Sequence, residues 1–171
     1  MKVLQVEEYF DTDAGYQINE MVRVWPKEHE LVIITTKLMG VFHKKYDEVQ
    51  KIKDLEFEKK FNVKLIRLDI HFKIGSRVFY KGLKKVIRQQ SPDVLFLHGI
   101  GDFKDLLFVY GSNDYLTFRD CHMSWVASKN KYAKLYYQFF RFFFALLINR
   151  YKKYEKVYAL GNEEIEYIKA L

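Results

Sequence analysis

Apolar and polar positions along the chain follow two alternating periods. Lys2 to Val6 is a short apolar run followed by the turn-like stretch Asp11-Thr12-Asp13-Ala14-Gly15. Ile18, Met21, Val22 and Trp25 then recur at i, i+3, i+4 and i+7, the spacing of one helix face. Strand, loop and amphipathic helix are therefore expected in that order. Pro26 stops the helix, and Leu31 to Thr35 is a β-branched run of the kind that fills a strand covered on both faces. The unit repeats: a charged helix around His43 to Lys60 leads to Val63 to Leu68, and Phe79, Leu83, Val86 and Ile87 mark another amphipathic helix, closed by Ser91-Pro92. Asp93 to His98 reads as a strand, Asp102 to Val109 as a short helix and Tyr115 to Phe118 as a strand. Tyr132 to Tyr151 reads as a long helix, Lys156 to Leu160 as a strand and Glu163 to Leu171 as a last helix.

Strands alternating with helices imply an α/β fold, a doubly wound, Rossmann-like, mostly parallel sheet flanked by helices in a single domain. In such a sheet ligands bind outside the carboxyl ends of the strands, where helix N-termini offer N–H groups. Function is accordingly sought in Glu7 to Tyr16, Thr35 to Lys37, Asp69 to Phe72, His98 to Phe103, Arg119 to Trp125 and Gly161 to Glu163.

Composition narrows the class. A chain of 171 residues with 49% hydrophobic and 30% charged positions suits one domain with a real core, and two Pro and eight Gly exclude a linker-rich or disordered protein. The single cysteine, Cys121, forms neither an internal disulfide nor a zinc cluster, and the start Met1 to Val6 is too short for a signal peptide, so a cytoplasmic location is expected. Phe142 to Ile148, the longest apolar stretch, falls far below the ~20 residues of a membrane span. The net charge of +7 is uneven: up to Thr36 there are three basic and seven acidic residues, leaving 26 basic against 15 acidic in the remainder. Lys129 to Lys156 holds eight basic residues against Glu155 alone, with nine aromatics between Tyr132 and Tyr151. That helix suits either burial against the core or a domain interface, or contact with an anionic membrane surface. Nucleic acid is the weaker partner class, because no RNA or DNA motif is present and apolar residues occupy nearly every side of the helix.

Among the strand-end segments, Gly15 stands where a missing side chain would let an anion approach backbone amides, or where the turn into the helix simply needs glycine. His98-Gly99-Ile100-Gly101 offers a second glycine pair, with Lys104 in place of a third glycine, and Thr35-Thr36 stands where a dinucleotide-binding fold would carry an acid; NAD binding is not expected. His29 and His43 read as solvated, and His71 follows a strand with either outlook. His98 and His122 stand at strand ends, where an imidazole donates to phosphate or to a sugar hydroxyl, or else braces its own loop. Cys121 and His122 are adjacent and so project to opposite faces of a strand, which argues against a Cys-His dyad. No nucleophile elbow, Walker loop or metal-spaced cluster occurs, and neither cofactor nor metal is expected.

Six segments carry a resemblance. Met1 to Phe10, Ala14 to Glu20 and Glu30 to Thr35 resemble the opening of family 4 glycosyltransferases of the GT-B fold; Ser91 to Gly99, Asp120-Cys121-His122 and Tyr154 to Glu164 resemble its later landmarks in the same order. The resemblance implies that residues 1–171 are the N-terminal, acceptor-binding, Rossmann-like domain of an enzyme that moves a sugar from a nucleotide-sugar donor to a glycan or lipid-linked acceptor, in cell-surface polysaccharide or glycolipid synthesis. It implies that the donor-binding C-terminal domain is absent from this chain, which alone would be inactive, and that the enzyme is peripheral at the inner face of the membrane. By the same resemblance His122 is the catalytic candidate, meeting the donor sugar or its phosphates, with Gly15, Tyr16, His98, Gly99 and Arg119 as substrate-binding neighbours. Tyr16 stands where the family usually carries a second glycine. The alternative reading is a non-catalytic membrane-docking or partner-binding module of the same fold.

Overall fold

A computed structural model describes residues 1–15, 17–39, 46–74, 77–100, 102–104, 114–121, 138, 142 and 155–170. The elements in chain order are β1 (Lys2–Val6), α1 (Gln17–Arg23), β2 (Glu30–Thr36), α2 (Glu48–Phe61), β3 (Lys64–Leu68), β4 (Ile70–Ile74), β5 (Arg77–Tyr80), α3 (Leu83–Gln90), β6 (Val94–Leu97), β7 (Leu116–Cys121), β8 (Glu155–Ala159) and α4 (Asn162–Ala170). Six strands form one sheet in the order β3-β2-β1-β6-β7-β8, every pairing parallel. The architecture is α/β with helices against a parallel sheet, consistent with a Rossmann-like fold.

Parallel strands covered on both faces must be apolar at successive positions, which is why β1 and β2 are nearly continuous apolar runs. Alternate residues divide between two cores. Leu4, Val6, Val32, Ile34, Leu95 and Leu97 pack with Leu83 and Ile87 of α3 and with Tyr80. Val3, Leu31 and Ile33 pack with Ile18 and Val22 of α1, Phe57 of α2 and Phe10. Among the described residues no helix is long and apolar enough to cross a membrane.

Four boundaries differ from the sequence pattern, each for a local reason. The charged helix expected from His43 begins at Glu48, because Asp47 is extended and its carboxylate accepts from the Gln50 N–H at 3.1 Å, capping the first turn; residues 43–45 lie outside the described set. The first helix ends at Arg23 rather than Trp25, whose indole Nε1 donates to the His29 carbonyl at 2.9 Å. Phe79 belongs to a strand and not to the helix of Leu83, Val86 and Ile87. Residues 70–80 form an antiparallel hairpin, β4 with β5, separate from the main sheet, and Gly82 at φ +80° turns the chain into α3. The strand expected to end at Phe118 continues to Cys121, because β8 pairs with it through Asp120 and Cys121. Arg119 and Asp120 are thus buried strand residues rather than loop. Of the helix expected from Asp102 to Val109, residues 105–109 lie outside the described set; of the long helix expected from Tyr132 to Tyr151, only Gln138 and Phe142 are described, both helical.

Candidate functional site

The strand order places β2 and β3 on one side of β1 and β6, β7 and β8 on the other. The carboxyl ends of β1 and β6 therefore flank the point where the strand order changes direction, the place where open α/β sheets form a ligand crevice. The chain leaves β1 as Glu7-Glu8 and β6 as His98-Gly99, with the His98 N–H donating to the Val6 carbonyl at 3.0 Å.

His98 is buried and its ring is held at both nitrogens. Nδ1 lies 2.8 Å from Asp120 Oδ2 and Nε2 lies 2.8 Å from Gln5 Oε1, while the Gln5 amide donates to the Met21 sulfur at 2.9 Å. The imidazole fastens β1, β6 and β7 together. The other Asp120 oxygen accepts the Gly99 N–H at 2.9 Å, and the buried Arg119 guanidinium donates to the Gly99 carbonyl at 3.3 Å, so both strand residues shape the loop after β6. Gly99 has φ +85°, and a Cβ built there would lie 2.8 Å from Asp102 Oδ2. Gly99→Ala combines left-handed strain with that clash and is expected to cost about 1–3 kcal/mol; an unchanged urea midpoint would refute this account of the turn.

Next to this fastener lies a second buried group. Lys104, fully buried, donates from Nζ to Glu8 Oε1 and, at 2.8 Å, to Asp102 Oδ2, whose other oxygen lies 3.9 Å from Arg77 Nε. Burial pushes the Glu8 carboxyl up to about 8; the Lys104 charge opposes the rise, and Asp102 and Glu7 add to it. The Glu8 carbonyl accepts from the Thr36 hydroxyl at 2.7 Å, fixing the end of β1 to the end of β2. Tyr80 is buried with its hydroxyl unpartnered among the described residues; burial, then the charges of Glu8, Glu7 and Asp102, holds its phenol far above the usual range. Glu7 differs from all of these. Its carboxylate is 28% exposed and lies 3.8 Å from the His98 ring, which makes it the carboxylate at the solvent side of the cluster.

Of the residues singled out in the sequence, His98, Gly99 and Arg119 meet at these strand ends. Gly15 lies in the loop after β1, and a Cβ there would meet nothing within 4 Å, so its backbone is open to approach. Asn19 shapes that loop by donating to the Asp11 and Thr12 carbonyls at 3.0 and 3.1 Å. Tyr16 and His122 lie outside the described residues. Sequence reasoning gave Gln5 no part, reached Glu7, Glu8, Asp102 and Asp120 only as members of strand-end segments, and noted Lys104 only as standing in place of a third glycine; the available signal was two successive glutamates directly after an apolar strand, with a lysine in the segment after β6. A separate cleft of about 310 Å³ lies between α1 and α2, but its cations are engaged: Lys53 with Asp13, Arg23 with Glu20, and Lys60 over the Phe61 ring. Among the described residues no cluster of His, Cys, Asp and Glu is arranged to hold a metal ion.

Compared with protein-family models, with curated proteins and with solved structures, the chain matches none of them.

Proposed function

We propose that this chain is the N-terminal, acceptor-binding domain of a GT-B glycosyltransferase resembling family 4, a single doubly wound unit that works with a donor-binding domain. The reaction moves a sugar from a nucleotide-sugar donor to a hydroxyl of a glycan or lipid-linked acceptor at the cytoplasmic face of a membrane. One observation carries the reading: a cluster of buried polar groups at the carboxyl ends of β1 and β6, where the strand order changes direction, with the partly exposed Glu7 at its solvent side. That cluster suits a site that must hold an acceptor still while a second domain closes over it, since alignment and exclusion of water supply much of the rate in such transfers.

In this reading Glu7 accepts a hydrogen bond from an acceptor hydroxyl. His98, Asp120 and Arg119 act on the substrate only by holding the Gly99 turn, and the open backbone at Gly15 faces the donor phosphates. His122 supplies the donor-side hydrogen bond. The purified chain alone is expected to neither hydrolyse nor transfer sugar from nucleotide sugars, and turnover by it would overturn the half-enzyme reading. In the enzyme completed by its donor domain, His122→Ala is expected to lower kcat by about two orders of magnitude with the melting temperature unchanged, on the scale of losing one donor to developing charge. A lower melting temperature with activity per folded molecule preserved would make His122 a brace of its own loop.

A further inference from the structure

Helix α2 carries its aliphatic residues on the outside. Its inward side holds Gln50, Asp54 and Phe57, and the first two are satisfied there: the Gln50 amide donates to the Thr12 hydroxyl at 3.1 Å, and Asp54 accepts from the Arg67 guanidinium. Three aliphatic side chains are left facing outward, where Val49, Ile52 and Leu55 remain 62%, 58% and 64% exposed. Glu48, Ile52, Leu55 and Lys59 follow one another at spacings of four, three and four, which lines them along one seam of the helix with Val49 beside it. All five are exposed. The seam is therefore acidic in the first turn, aliphatic in the middle and basic in the last turn.

We propose that α2 is a self-association surface, on which a second copy of this chain lays its own α2 antiparallel, across a two-fold axis between Ile52 and Leu55. The seam is complementary to its own reverse. Antiparallel pairing sets Ile52 of each copy against Leu55 of the other and Glu48 of each against Lys59 of the other, so two aliphatic layers are closed at both ends by opposite charges. Parallel pairing would stack Glu48 on Glu48 and Lys59 on Lys59, and would align two helix dipoles that the antiparallel arrangement opposes. The balance of charge argues against a lipid surface as the occupant. Glu48, Asp54, Glu56 and Glu58 stand against Lys51, Lys53, Lys59 and Lys60, so α2 is neutral overall and offers an anionic bilayer no net attraction. A contact made through one 14-residue helix falls below the span of stable interfaces, so the dimer is a weak one, with a dissociation constant on the order of 100 μM.

The test is sedimentation equilibrium of the full chain from about 10 to about 500 μM, a range that brackets the expected dissociation constant. The average mass is expected to rise from one chain towards two and no further, because a two-fold contact closes on itself. Ile52→Gln with Leu55→Gln, at exposed positions and with a good helix former, is expected to weaken association at least tenfold at an unchanged melting temperature in dilute solution. Glu48→Lys and Lys59→Glu are each expected to weaken it several-fold. An equimolar mixture of these two charge variants is expected to recover it, because the two reversed side chains then face each other and the two original ones do the same. A chain still monomeric at about 500 μM overturns the proposal and leaves the face to another protein or domain. Association that survives Ile52→Gln with Leu55→Gln, or that grows beyond two chains, places the contact on another surface and overturns it as well. A mixture that fails to recover overturns the antiparallel register.

Discussion

Replacing Asp54 with alanine is expected to lower the stability of the chain by about 3–5 kcal/mol, the cost of stranding a buried charge. Asp54 in α2 holds Arg67 of β3 through two contacts, Oδ2 to Nε at 2.5 Å and Oδ1 to Nη2 at 2.8 Å, with both side chains nearly buried. The remaining guanidinium nitrogen donates to the carbonyls of Phe10 and Thr36 at 3.0 and 3.1 Å, and the Tyr46 ring lies 4.8 Å from the guanidinium carbon. One arginine therefore ties α2 and β3 to the loops leaving β1 and β2. For a domain of this size the loss corresponds to a fall of order 10 °C in melting temperature. Asp54→Asn keeps an acceptor and should lose clearly less. Adding Arg67→Met to Asp54→Ala should recover only part of the loss, because the Phe10 and Thr36 carbonyls then lose their donor. A single-variant loss below about 1 kcal/mol would mean that water reaches the pair and screens it, as at surface ion pairs.

The strands that this arginine braces were largely legible in the sequence. Lys2 to Val6, Leu31 to Thr35 and Asp93 to His98 are mostly apolar because both faces of a parallel sheet are covered, and their short length between turn signals favours strands over buried helix. The hairpin was not legible, for a specific reason: Phe79 stands four residues before Leu83, so it fits a helical period as well as a strand, and Gly82 at positive φ, which separates the two, shows its role only in three dimensions. Arg119-Asp120 looked like loop chemistry because charged residues rarely sit in a covered strand; here each is buried by bonding to the Gly99 turn. The site followed the same division. Strand ends pointed to the right region, and His98 and Gly99 were found there. Asp102 was reached only within a strand-end segment and Lys104 only in place of a third glycine, since pairing a lysine with a glutamate 96 positions away is a property of the fold alone.

That pairing makes Glu8 a source of pH-dependent stability. Its carboxyl ionises near 4.5 in the unfolded chain and near 8 in the folded one, raised first by burial and further by Asp102 and Glu7, against the pull of Lys104. A group whose folded value is raised binds its proton more tightly in the native state, so native stability is fully present below about pH 4.5, falls as pH rises through the interval to 8, and levels off above it. Neutral Glu8 still accepts from Lys104, whose charge Asp102 balances at 2.8 Å. Glu8→Gln mimics the neutral acid at every pH and keeps the acceptor. The stability of wild type minus that of Glu8→Gln should therefore decline by a few kcal/mol between pH 5 and 8, with the variant the more stable near pH 8. Titrating groups remote from Glu8 cancel in this difference, whereas Lys104 and Asp102 respond to its charge and belong to the measured slope. Urea unfolding of the two proteins across that range reads the slope directly. A constant difference would mean that Glu8 is ionised in the fold throughout, and that Lys104 holds it as an ion pair strong enough to outweigh its burial.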